Sequence, residues 1–361
     1  MEVTVMTKFT SRLMAGLIGW TLVSGVALGQ DRTGLNTSVA VDLVGEFAAD
    51  KESAGADKIE ARSIEVMFFA PIDHLFDGTL SVAAHQEDGV HMVELHEAFL
   101  SSSRLVPGLK FKLGQYFLGI GRLNRFHQHE WPFISTPLVH ETFFDSEGLI
   151  DSGMEVSYLL PLPFYLDLTV GVTNGFVYGH AHDAGEKPKK PISYAHLKSF
   201  FTLGGLDAQP GLSFLNRVDS AGEAMRLVGM DLTAKVRSGK TLTYLWQSEV
   251  WRRYLKPKDG VEEVSTGAYI YQSYGFGHGL EVGLRYDYLT VDSLEDALGK
   301  SVSNSTSSWV PSLTYRPSEF SRFQLAYEWQ TVAQQGEEDE QSKTIKFQST
   351  FMLGAHPAHD F

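Results

Sequence analysis

The sequence predicts an all-β chain: a transmembrane antiparallel β-barrel of about sixteen strands with a long third extracellular loop. Three observations carry that expectation. Segments of about ten residues in which every second side chain is apolar recur from Val39 to near the C-terminus. The connections between them take turns, one compact and the next long and polar. After Gln30 no stretch reaches the roughly 18 consecutive apolar residues that a membrane helix needs.

The chain opens like an exported precursor. Lys8 and Arg12 precede an apolar run from Leu13 to Leu28, and Ala27-Leu28-Gly29 offers a small-x-small cleavage site before Gln30. Residues 1–29 are expected to form a signal peptide and residues 30–361 the barrel. There is no cysteine, which removes disulfides, cysteine zinc sites and thiol catalysis together and suits a bacterial envelope protein. A net charge of −14 argues against nucleic acid as a partner. The 23 Phe and 14 Tyr can supply interface girdles, and the 34 Gly suit turns and crowded walls.

Strands are expected at 36–48, 59–70, 79–86, 91–100, 109–118, 152–160, 164–174 and 194–203. The series continues at 211–218, 225–236, 241–254, 264–274, 279–290, 306–316, 321–332 and 342–354. A strand sends successive side chains to opposite faces, so each segment has two distinct sides. The first sets Val39, Val41 and Leu43 against Asp42 and Glu46, and the second sets Ile64, Val66 and Phe68 against Glu65. The third and fourth place His85, Glu94 and His96 on the polar side. In the fifth, Leu109, Phe111 and Leu113 oppose Lys110 and Lys112. Glu155 and Asp167 oppose Leu166, Leu168, Val170 and Val172, while His196 and Lys198 follow in the eighth. Val228, Met230 and Leu232 alternate with Asp231, and Lys235, Glu249 and Arg253 continue the polar face. Later, Leu280, Val282, Leu284, Tyr286 and Tyr288 enclose Glu281, Arg285 and Asp287; Arg316 and Arg322 flank the next turn. Phe323, Leu325, Tyr327 and Trp329 enclose Gln324 and Glu328.

Charges of both signs in such number need water, and a barrel of this size leaves an aqueous channel. Two residues sit badly in the pattern. Glu97 falls on the apolar face with Val93, Leu95 and Phe99, which implies an interface position or a slipped register. Pro311 removes a ladder donor and implies a bulge or strand end.

Compact connections are expected at 71–78, 101–108, 161–163, 204–210, 237–240, 275–278 and 317–320. Longer ones fall at 49–58, 119–151, 175–193, 255–263, 291–305 and 333–341, with 87–90 and 219–224 short against the trend. A two-sheet sandwich gives no reason for this alternation. Outer-membrane barrels have short periplasmic turns and longer outside loops, with an even strand number and both ends periplasmic.

Residues 119–151 make the third outside loop. Loops this long are usually functional or disordered, and Phe126, Trp131, Phe133, Phe143 and Phe144 argue against disorder. With aromatics on one side and Arg122, Arg125, His127, His129 and Glu130 on the other, it is suited to fold inward and form the pore constriction. The stretches GRLNRFHQHEWPF, LVHETFF and SEGLIDSGMEVSYLLP, and the closing GAHPAHDF, resemble a group of bacterial outer-membrane proteins labelled zinc-regulated outer-membrane receptors, akin to phosphate-porin-type barrels. The resemblance is strongest over 109–160 and the last eight residues. It implies an outer-membrane barrel, and its label points to zinc. Energised TonB-dependent receptors are far longer and carry a plug, whereas strands here are expected within ten residues of the cleavage site. The terminal Phe361 resembles the signal read by the barrel-assembly machinery, although Pro357 and His359 stand where apolar residues are usual.

Metal ligands, if present, are expected among His127, His129, His140 and Glu141 of the long loop, or His180, His182 and Asp183 of the fourth. Imidazole and carboxylate suit zinc, but no spacing matches a known zinc module. His356 and His359 read as an assembly or turn feature. No enzyme is expected: there is no Gly-x-Ser-x-Gly turn or glycine-rich phosphate loop, and a trio such as Ser135, His140 and Asp145 arises readily by chance.

The expectation is therefore passive diffusion of small hydrophilic solutes or ions across the bacterial outer membrane, with membrane lipid as the surroundings and a homotrimer as the usual assembly for the size. The polar face carries eleven acids against eight Lys and Arg, which would favour cations modestly. The rivals are a receptor or zinc-binding barrel closed to bulk flow, and a secreted β-sandwich.

Overall fold

The computed structural model describes residues 34–361 apart from 52, 54–56, 88–89, 177, 179–185, 240, 296–300 and 355–361. The expected signal peptide at 1–29 lies outside the described residues, as do His180, His182, Asp183, His356, His359 and Phe361.

Sixteen strands form: β1 Asn36–Ala48, β2 Lys58–Pro71, β3 Asp77–Glu87, β4 Val90–Ser102 and β5 Leu109–Phe117. After the long loop come β6 Ile150–Leu159, β7 Tyr165–Thr173, β8 Lys190–Leu203, β9 Leu206–Val218 and β10 Ala224–Ser238. The last six are β11 Thr241–Lys256, β12 Glu263–Gly277, β13 Leu280–Glu295, β14 Ser301–Ser318, β15 Ser321–Gln334 and β16 Glu340–Gly354. Each pairs antiparallel with its sequence neighbours, and β1 pairs with β16, Val41 opposite Phe351, so the sheet closes. Closure gives every strand two partners and leaves no edge, the condition for strands to cross lipid. It also sets the sandwich reading aside.

Side chains alternate as the pattern requires. In β10, Val228 and Met230 face outward while Asp231 and Thr233 are buried inside. The outer surface carries aromatics toward both rims: Tyr274 of β12, Tyr315 of β14 and Phe323 of β15 near the compact turns, and Tyr288 of β13, Trp309 of β14 and Trp329 of β15 farther from them. Phe323 and Trp329 lie about 20 Å apart along β15 at ~3.4 Å per residue, the scale of an apolar band ~25 Å tall.

Three local readings change. The connection expected at 204–210 shrinks to Gly204-Gly205, both at positive φ (57° and 86°), which glycine adopts without strain. Pro311 neither ends nor bulges its strand: β14 runs through it, and the ladder to β15 skips only residues 310–311 before resuming in register. Glu97 is explained by a bulge. Ser81 pairs with Glu97 but Val82 pairs with Leu95, so His96 is the extra residue in β4. The bulge turns His96 and then Glu97 into the lumen.

Residues 118–149 fold into the barrel, through short turns at Leu123–Arg125 and Gln128–Glu130 and a helix, α1, at Leu138–Phe144. The hydrophobic core lies here, inside the barrel. Trp131, Phe133, Phe143 and Phe144 are buried against Tyr116, Trp251, Tyr269 and Tyr271 of the wall. Their rings meet edge to face, with Phe144 4.7 Å from Trp251 and Phe133 5.6 Å and 5.4 Å from Tyr269 and Tyr271, an arrangement their quadrupoles favour. Gly267 lets α1 approach: a Cβ there would lie 2.6 Å from the Val139 side chain.

Candidate functional site

A loop inside a barrel has backbone polar groups to satisfy, and the wall supplies the partners. Arg322 donates to the carbonyls of Trp131 (2.6 Å) and His129 (2.7 Å), and Gln324 to that of Pro132 (2.8 Å). Arg62, ion-paired with Asp42 at 2.5 Å, donates to the Ile134 carbonyl, while Arg285, paired with Asp287, donates to the Ser135 carbonyl and hydroxyl. From the acidic side, Glu249 accepts from the Leu123 amide at 2.8 Å and Glu155 from the Gly119 amide at 3.0 Å. At Gly121 the chain takes φ +58°, and a Cβ would fall 2.5 Å from the Glu249 carboxylate. Many side chains read from sequence as wetted lumen charges are thus occupied in holding the loop. Others form ion pairs along the wall: Lys112–Glu155, Arg253–Glu263, Arg316–Glu281 and Lys346–Glu328.

The five constriction residues expected from sequence all lie in the infolded loop, but they part company. Arg122 and Arg125 line a cavity of about 350 Å³ with Lys110, Lys112 and Lys198, against Glu97, Glu155 and Asp167. Arg122 stacks on the Phe126 ring (4.4 Å) and donates to Gln209 at 3.3 Å. Burial, then the neighbouring Arg125, pull its guanidinium down to about 10, which leaves it cationic at neutral pH. His129 and Glu130 line a second cavity of about 590 Å³ with Arg316 and Arg322. His127 lines neither. It is buried against Phe117, with Nδ1 3.1 Å from Glu65 and Nε2 3.2 Å from Glu97. Burial alone would lower this imidazole, but the two carboxylates outweigh it and hold the ring well above its ordinary range, as a cation.

The expected metal quartet does not assemble. His127 and His129 stack at 5.6 Å toward β2 and β4, whereas His140 is buried 3.6 Å from Glu249 of β11, beside Trp131 and Phe144. Glu141 is exposed on α1. What does assemble is a row of four near-parallel imidazoles, His85, His96, His127 and His129, at centroid spacings of 4.9, 6.0 and 5.6 Å. Glu65, Glu97 and Glu147 flank it. His85 and His96 were legible only as polar-face residues. The misfit of Glu97 was the one sign in the sequence that this part of β4 turns unusually.

No family model matches the chain. A protein of Aquifex aeolicus (strain VF5), described only as uncharacterized, is 28% identical over 327 residues, spanning 82% of this chain and 69% of its own length. Among solved structures, the barrel is similar to the outer membrane channel DcaP of Acinetobacter baumannii, with a TM-score of 0.60 at 12% identity over 89% of this chain and 97% of that one. It is equally similar to OmpT of Vibrio cholerae (TM-score 0.59, 12% identity, 90% and 99% covered) and to an anion-selective porin from Comamonas acidovorans (0.59, 10%, 90% and 100%). The chain therefore has the sixteen-stranded fold of outer-membrane porins. These likenesses carry the porin-like half of the resemblance read from the sequence and lend nothing to a zinc-regulated receptor.

Proposed function

We propose that the protein is a diffusion channel of the bacterial outer membrane, passing small hydrophilic solutes and ions through a lumen narrowed by the infolded loop. The observation that carries this reading is the cavity beside Arg122 and Arg125: a charged, polar space inside a closed barrel, bounded by a loop that the wall holds in place. It supports anions over cations. Five bases line the cavity against three acids; setting aside Glu97, which His127 engages, and the Lys112–Glu155 pair leaves four bases against Asp167. Where the passage is narrow and partly desolvated, local charge outweighs the whole-lumen excess of acids. Assembly as a homotrimer and insertion by the barrel-assembly machinery belong to the same proposal.

The test is single-channel conductance of the refolded barrel in a planar bilayer under a salt gradient. Stable steps with an anion-directed reversal potential are expected, moving toward cations in an Arg122→Gln, Arg125→Gln double variant. Absence of conductance from a barrel that shows heat-modifiable gel migration would overturn the channel and favour a closed barrel.

A further inference from the structure

We propose that His85 of β3, His96 of β4 and Glu147 at the end of the infolded loop form a binding site for a divalent transition metal of the Zn²⁺ type. The Nε2 atoms of His85 and His96 are 2.9 Å apart, and His96 Nε2 is 3.4 Å from Glu147 Oε2. One donor atom from each of the three lies within 4.8 Å of the other two. Zinc bonds of about 2.0–2.2 Å at tetrahedral angles put ligand atoms about 3.3–3.5 Å apart. A small relaxation therefore seats an ion among them, with lumen water as the fourth ligand. Two imidazole nitrogens this close repel unless a proton or a cation lies between them.

Two further features aim the ligands. His85 Nδ1 lies 3.1 Å from the Arg62 carbonyl and 3.2 Å from Glu147 Oε1. An N–H donated from Nδ1 leaves the Nε2 lone pair directed toward His96, the outer support that metal-binding histidines carry. The β4 bulge is the second feature. By inserting His96 as an extra residue it delivers His96 and Glu97 to the lumen in succession, Glu97 to hold His127 and His96 to meet His85.

A competing triad, Glu65, His96 and His127, is also within reach of an ion. It is the weaker candidate, because both His127 nitrogens already face carboxylates at 3.1 and 3.2 Å. His127 is a charged clamp beside the site. Two imidazoles and one carboxylate choose a borderline metal over Mg²⁺ or Ca²⁺, which demand six or more oxygens. Since the ligands span wall and loop, the ion would tie the loop's end to β3 and β4, whether or not the lumen conducts.

The test is calorimetric titration of the full refolded barrel, without an affinity tag, in detergent with Zn²⁺ and separately with Mg²⁺. One Zn²⁺ per chain is expected and no Mg²⁺ binding. Affinity should fall by at least ~10- to 100-fold in His85→Ala and His96→Ala, and clearly in Glu147→Gln, while His74→Ala in the turn between β2 and β3 changes nothing. If His96→Ala fails to fold, X-ray absorption of the Zn²⁺-loaded wild type decides, with two imidazole nitrogens supporting the site. Absence of Zn²⁺ binding by the folded barrel, equal uptake of Mg²⁺, or affinity untouched by the His85 and Glu147 variants would overturn it. None of these readouts depends on conductance, so they separate this proposal from the channel.

Discussion

The infolded loop has two unlike faces. Toward β11 and β12 it is dry: Trp131, Phe133, Phe143 and Phe144 pack on Trp251, Tyr269 and Tyr271. Toward β2, β3 and β4 it is polar: His127 and His129 continue a row of imidazoles edged by Glu65, Glu97 and Glu147. The dry face gains mainly from area removed from water, a contribution insensitive to pH, and sets where the loop sits. The polar face gains from charge pairing, so its strength depends on protonation and on ions. A barrel whose infolded loop is fixed on one side and titratable on the other can be tuned without being dismantled.

The largest effect is expected from the dry face. Trp131→Ala removes a wholly buried indole whose Nε1 donates to the Phe126 carbonyl at 3.1 Å. Loss of burial plus the cavity left behind should cost about 3–5 kcal/mol, read as a lower denaturant midpoint for the refolded barrel. Loop closure inside the lumen should loosen, giving larger and noisier conductance steps. A stable variant with unchanged current would mean that the wall arginines alone position the loop.

These two faces were unequally legible. The strands were readable because the period of two is local, and Val228, Met230 and Asp231 lie where alternation put them. The aromatic side of the loop was readable as well, since aromatics in a polar loop must pack on something. The partners were not. His140 meets Glu249 across a large sequence separation, and nothing local to either residue encodes that contact. His85 and His96 each looked like one more wet polar residue. The bulge that joins them shifts the pattern by one position, and from sequence alone Glu97 could equally mean an interface charge. Grouping His127, His129, His140 and Glu141 failed for the same reason: neighbours along a folded loop point to opposite walls.

A middling effect is expected at the polar face from His127→Gln. Glutamine can still bond but carries no charge, so Glu65 and Glu97 are left facing each other, at a cost of about 2–3 kcal/mol near neutral pH. The pH dependence separates this from simple misfit. In the wild type, burial opposes the charged ring but Glu65 and Glu97 raise it well above its ordinary range. A raised imidazole contributes stability that is complete below its unfolded value and is lost as pH rises through its folded value. The wild type should therefore weaken on the alkaline side. The variant should lack that loss and differ from wild type most at neutral and mildly acidic pH, above the range where its carboxylates protonate. A pH-independent deficit would show that His127 acts by packing on Phe117 rather than by charge.

The smallest stability change should come from the cavity wall. Lys112 lies 3.7 Å from Glu155 and within 5.2 Å and 5.5 Å of the Phe99 and Tyr116 rings, with about a third of its side chain exposed. Glu155 is buried but keeps the Gly119 amide and the Tyr194 hydroxyl, and only the Lys112 end of the pair is wet. Lys112→Met should therefore alter unfolding by about 1 kcal/mol, less than the His127 change. Its effect on permeation should be disproportionate, because the charge borders the narrow cavity and also neutralises Glu155, which the Gly119 amide and Tyr194 hydroxyl otherwise hold. Removing it exposes that carboxylate to passing ions, and the reversal potential should move toward cations. A shift with so small a stability change would separate the charges that select solutes from those that hold the loop. If Lys112→Met left selectivity unmoved, the ions would be passing on the His129 and Glu130 side instead, where Arg316 and Arg322 line the second cavity.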